Sequence, residues 1–207
     1  ELSNLLLKSC IAKQEDDDEE VSDNILNDLL ELNFKKENSV AFDDVFIAAV
    51  ENNRFKVVSR LITDFGASPN FSDPTDYSIL MYACLNGSLE CAYLLLEAGA
   101  DFNYSNSQGL RALDVASHNG HYEIIKSLLE FETLDSMNSL KDGYNLLHQA
   151  ALMGYFELFR ALLETKKIDL ESFTDNGQTA LHLACLAGNT EMVRLLIDAG
   201  TAVSLID

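Results

Sequence analysis

Basic residues are scarce in this chain. Lys and Arg total 14 against 34 Asp and Glu, a formal net charge of −20 over 207 residues. A surface so negative repels nucleic-acid phosphate and anionic lipid, so no nucleic-acid partner is expected and basic partners are favoured. Also missing is any apolar run approaching the roughly 20 residues of a membrane span, and the N-terminus lacks a basic stretch followed by an apolar signal core. Direct membrane insertion is not expected. The four cysteines, Cys10, Cys84, Cys91 and Cys185, form no CxxC pair. With a good apolar supply they argue for reduced thiols and an intracellular setting, cytoplasmic first and nuclear as the alternative. GxGxxG, GxxxxGKS or GxxxxGKT, GxSxG and HExxH are all absent, and no pattern gathers the many carboxylates into a pocket. No enzymatic activity, cofactor or metal centre is expected.

What is present is repetition. The apolar content of 47% and charged content of 23% suit a globular protein. The stretch TALHLAC, residues 179–185, sets His182 and Cys185 one helical turn apart, as a metal half-site or a nucleophile and base would require. Its counterparts SILMYAC, RALDVAS and NLLHQAA replace His182 with Met81, Asp114 and His148, and Cys185 with Cys84, Ser117 and Ala151. A shared chemical role does not survive those replacements. Gly87, Gly120, Gly154 and Gly188 keep the register at spacings of 33, 34 and 34, and one more step back reaches Asn53 in a weaker copy. Each unit reads as a helix, a left-handed Gly or Asn stop, a second helix with one apolar side such as Met192, Val193, Leu195 and Leu196, then turn residues. One such helix pair cannot bury its own apolar face, so stacking makes the core.

These units resemble the ankyrin repeat family, through TALH, the looser SILM, RALD and NLLH, the glycine register and GADFN at 99–103. The resemblance covers about 41–207 as five copies, at about 41–73, 74–106, 107–140, 141–174 and 175–207. It implies an all-α repeat solenoid of inner and outer antiparallel helices, with short β-hairpin fingers at about a right angle. It also implies that Thr179 and His182, and by analogy Asn145 and His148, hydrogen-bond around the start of an inner helix. Glu132 and Lys166 stand where the family has a second Gly. A left-handed residue other than Gly costs roughly 1 kcal/mol, so those two helix ends are expected to be rearranged. Asn103 is similar to finger asparagines hydroxylated in many ankyrin repeats; its main expected role is to hold the hairpin through its amide.

Residues 1–40 fall outside the repeat. They read as an N-terminal helical cap, or a degenerate repeat, with a helix capped by Ser22 and an acidic loop at 15–20. Glu1 in place of Met, and an end at Asp207 inside a finger, suggest a fragment of a larger multidomain protein, expected to be monomeric.

The family's variable positions form the candidate site. Tyr77, Leu110, Tyr144 and Gln178 precede the motif, and Leu85, Leu152, Met153 and Leu186 precede the turn Gly. These apolar and aromatic groups, with Asp142 and Asp175 at finger tips and Asp43 and Glu51 on the rim, read as a concave groove. Its expected ligand is a protein or peptide with apolar anchors and basic residues. The leading functional expectation is a non-catalytic scaffold, adaptor or targeting module. An intramolecular regulatory domain is the alternative, and small-molecule binding a third reading that the scarcity of groove Lys and Arg argues against for anions.

Overall fold

A computed structural model describes residues 40–131 and 143–201. Apart from Val40, the expected cap with Cys10, Ser22 and the acidic loop 15–20 lies outside the described residues. So do Glu132 and Asp142.

Ten α-helices and no strands occur among the described residues. The chain forms two compact units, one reaching to Asn119 and one starting at Gly120. The first contains α1 (Val40–Glu51), α2 (Phe55–Thr63), α3 (Ile79–Asn86), α4 (Leu89–Glu97) and α5 (Ala112–Asn119). In the second are α6 (Tyr122–Phe131), α7 (Leu146–Met153), α8 (Phe156–Thr165), α9 (Ala180–Leu186) and α10 (Thr190–Asp198).

In the first unit α1, α3 and α5 form one packed row, with α2 on α1, α4 on α3 and α2 on α4 as a second row. In the second, α7 packs on α9 and α6 on α8, while α8 and α10 back α7 and α9. The all-α repeat solenoid is therefore the fold class. Residue type explains each row. Helix α3 is flanked on both sides of its row and backed by α4, so Ile79, Leu80, Met81, Ala83 and Cys84 are all buried. The second-row helices bury one stripe only, such as Cys91, Ala92, Leu95 and Leu96 in α4 or Leu158, Phe159, Ala161 and Leu162 in α8. Small residues, Ala83 and Cys84 or Ala150 and Ala151, occupy the row of closest packing.

The turns obey the register. Gly87, Gly120, Gly154 and Gly188 all lie near φ +72°, and Asn53 takes the same left-handed region at φ 56°. The expected hairpin fingers are reduced to single antiparallel bridges, Ser72 with Ser78 and Ser105 with Arg111. Asx turns do the rest. Asp73 accepts the N–H groups of Thr75 and Tyr77, and Asn106 those of Gln108 and Leu110.

The family's second Gly is present at Gly99 and Gly200, with φ of 90° and 94°. Lys166 takes its place with φ 54°, so the left-handed residue is retained and the rearrangement falls elsewhere. After Gly99 the next N–H, that of Ala100, donates straight to Leu95 O. After Lys166 the N–H of Lys167 donates to Thr165 Oγ1 at 3.3 Å, which donates to Leu162 O at 2.7 Å. A hydroxyl has been inserted as a relay where the glycine copies bond directly.

Candidate partner-binding surfaces

The histidines that suggested chemistry are caps. In α7 the Asn145 side chain accepts His148 N–H at 2.9 Å, while His148 Nδ1 accepts Asn145 N–H at 3.1 Å. The other ring nitrogen of His148 donates to Ser172 O at 3.0 Å, and Asn145 Nδ2 donates to Ser172 Oγ at 2.7 Å. In α9 Thr179 Oγ1 meets His182 Nδ1 at 2.8 Å, and that nitrogen accepts Thr179 N–H at 3.2 Å. Both are reciprocal capping boxes. His148 is fully buried. Burial pushes its pKa below the ordinary value, against the opposing bonds to the backbone of Ser172 and Gln178. Neutral, with its proton on Nε2, the ring satisfies both neighbours.

The cysteines divide in the same way. Cys84 and Cys91 are buried free thiols, and burial raises both, Cys91 to about 12. Cys185 is a free thiol at the surface. Among the described residues no group of three His, Cys, Asp or Glu could hold a metal ion.

The variable positions sort by unit. In the second, Leu186 is 71% exposed, Met153 57% and Leu152 38%. They project from the C-terminal turns of α9 and α7, two helices packed side by side. Repacking between neighbouring helices does not hide them. Asp175 is exposed, Gln178 and Tyr144 half-buried. Tyr144 leans edge-on against His148, ring centroids 5.9 Å apart, so it is tied to the cap as well as to the surface.

In the first unit Leu85 is 41% and Leu110 37% exposed. Tyr77 is half-buried edge-on against Tyr82, centroids 5.2 Å apart. Tyr82 escaped the reading of variable positions because it follows the motif and shares its place with Val115, Gln149 and Leu183. An aromatic ring where the other copies have none was the available signal. Asn103 is exposed, and its backbone N–H donates to Asp101 Oδ1 at 3.0 Å. One repeat earlier, Asn70 uses its side-chain amide, donating to Gly99 O at 3.3 Å and accepting Asp101 N–H at 2.7 Å.

Further ties between repeats were also missed. Asp76 fills the slot of Gly109, Gly143 and Gly177 at φ 66°, and its carboxylate accepts the Tyr104 hydroxyl and the Ser107 N–H. Asn189 donates to the carbonyls of Ala151 and Leu152. On the second-row side of the second unit, a cleft of about 350 Å³ between α6 and α8 is floored by Leu129 and Ala161 and rimmed by Lys126, Glu130, Glu164 and Lys167.

Helix pairs stacked at a fixed register, with left-handed turns at matching places, define a repeat protein of the helix-turn-helix stacking class. The family model for ankyrin repeats (3 copies) matches residues 45–138 and again 130–207, so the chain belongs to the ankyrin repeat family. It is 32% identical over 88 residues to the Notch-regulated ankyrin repeat-containing protein of Xenopus laevis, covering 41% of this chain and 77% of that protein. Human inversin is 37% identical over 82 residues, 40% of this chain but 8% of inversin. The DNA replication inhibitor plutonium of Drosophila melanogaster is 34% identical over 85 residues, 40% of this chain and 48% of the relative. Ankyrin repeats are in general protein-interaction modules and typically non-catalytic. No helix among the described residues is long and apolar enough to cross a membrane.

Proposed function

We propose that this chain is a scaffold or adaptor module that docks a partner polypeptide on the exposed side chains at the C-terminal turns of its first-row helices. The observation that carries this reading is the apolar patch of Leu152, Met153 and Leu186 on α7 and α9, each exposed although the two helices already pack side by side. A soluble helix gains nothing for its own stability from Leu186 at that exposure, whereas an interface buries it. Asp175 at the adjoining finger and the net charge of −20 favour a partner with basic residues beside its apolar anchors. The Notch-regulated relative and the DNA replication inhibitor carry names of regulation, which accords with a binding role.

The test is capture on immobilised protein, with the retained partner identified by mass spectrometry. Met153→Ser with Leu186→Ser is expected to lower affinity for that partner by about tenfold or more, as loss of a central anchor does, with helical circular dichroism unchanged. Undiminished affinity overturns the proposal. Tyr144 is the poorer probe, because removing its ring also disturbs His148.

A further inference from the structure

The first unit sets two rings together, Tyr77 and Tyr82, where the second has Tyr144 with Gln149 and Gln178 with Leu183. Two residues before the turn, where the second unit has Leu152 and Leu186, the first has Glu51, Leu85 and His118. Helices α1 and α3 pack together, so Glu51, at the end of α1, is exposed near Tyr82 of α3. Tyr82 and Tyr77 meet edge to face, with an interplanar angle of 70°.

Behind the rings, Asp73 holds both in place. Its carboxylate accepts the Tyr77 N–H at 2.8 Å and the Tyr82 hydroxyl at 3.0 Å. Burial opposes its ionisation, but the donors of Tyr77, Thr75 and Tyr82 outweigh it and keep the carboxyl below its usual range. Burial, then the bond to Asp73 and the charges of Asp73 and Glu51, push the Tyr82 phenol up to about 12. The ring therefore stays neutral and keeps its electron-rich face. Two anionic carboxylates beside two fixed aromatic rings attract a flat, weakly hydrated cation above all. Two of the unit's own guanidinium groups are already engaged, Arg60 with Asp64 at 3.0 Å and Arg111 with Asp114 at 3.5 Å.

We propose that Tyr77, Tyr82 and Glu51 receive one arginine side chain of the docked protein partner, its guanidinium lying on the solvent side of the ring pair and pairing with Glu51. This rests on the docking reading above and specifies the basic group the partner brings. Arginine is favoured over lysine because the guanidinium plane stacks on a ring while its edge donates to a carboxylate.

The experiment needs no partner. Acetyl-arginine methylamide is titrated into the whole chain and followed by NMR of the tyrosine rings, with acetyl-citrulline methylamide as the neutral isostere. Saturable shifts at Tyr77 and Tyr82 are expected with the arginine probe, at least about fivefold stronger than with citrulline. Tyr77→Leu and Glu51→Gln are each expected to weaken it about two- to fivefold, and Asp198→Asn, at an exposed place in the other unit, to leave it unchanged. Glu51→Gln alters only an exposed side chain, so it decides the matter if Tyr77→Leu disturbs the fold. Equal response to citrulline overturns the proposal. So does a response that Glu51→Gln leaves intact, which is diffuse attraction to the acidic surface. If the titration fails while Met153→Ser with Leu186→Ser still abolishes partner capture, this site is rejected and the docking reading stands.

Discussion

Four first-row helices begin with a four-residue phrase in the same register, yet the two units satisfy it differently. In the first unit each start is half a capping box. Ser78 Oγ accepts Met81 N–H at 3.2 Å with nothing returned by the methionine. At the next start the roles reverse, and Asp114 accepts Arg111 N–H at 2.9 Å from the far end of the phrase. In the second unit both starts are complete boxes, and His148 continues into the next finger through Ser172. The lesson is that the phrase specifies unsatisfied N–H groups to be covered, not the residues that cover them.

The comparison is broken most severely at His148. Replacing it with Ala leaves the buried Asn145 N–H and the half-buried Ser172 O without their partner. Each orphaned group costs about 1–3 kcal/mol, so a loss of about 2–4 kcal/mol is expected. His182→Ala loses bonds confined to its own half-exposed helix start, and about 1 kcal/mol is expected. Urea unfolding of both variants measures the difference, and equal losses show that the link to the finger contributes nothing.

A smaller effect separates the units by pH. The folded pKa of His148 lies below its ordinary value, so the unfolded chain binds the proton more readily than the folded one. Its contribution to stability is present above the unfolded pKa of about 6.5 and is lost as pH falls from there toward the folded value. His148→Met, which copies Met81, is expected to flatten this fall between about pH 6.5 and 5. Chemical unfolding of both chains across that range checks it. An unchanged slope assigns the pH dependence elsewhere.

How much of this was legible depended on whether a feature recurs. The register of glycines and the apolar alternation appear four or five times, so chance is averaged out and the helical stack was readable. So were the roles of Thr179 and His182, because the motif is shared. The exposed leucines followed from apolar letters at positions the family varies. Features that occur once were hidden. The Asp76 tie to Tyr104 and Ser107 depends on an aspartate in a glycine slot, and the Tyr77–Tyr82 contact on side-chain directions that no spacing reveals. Tyr144 looked like Tyr77 on paper, yet leans on a histidine cap instead of a second phenol.

The smallest expected effect sharpens the comparison between Lys166 and the glycine copies. The missing glycine suggested that the helix end would change, and it does, but through Thr165 and not by abandoning the left-handed backbone. Lys166 therefore retains most of the steric cost of its conformation, while the Thr165 relay keeps the Leu162 carbonyl and the Lys167 N–H bonded. Lys166→Gly relieves the steric cost, about 1 kcal/mol, against the greater freedom glycine gives the unfolded chain. A net gain of about 0.5 kcal/mol is expected, read as a rise in the urea midpoint without change of slope. A loss instead shows that the Lys166 side chain contributes more at this helix end than its backbone costs.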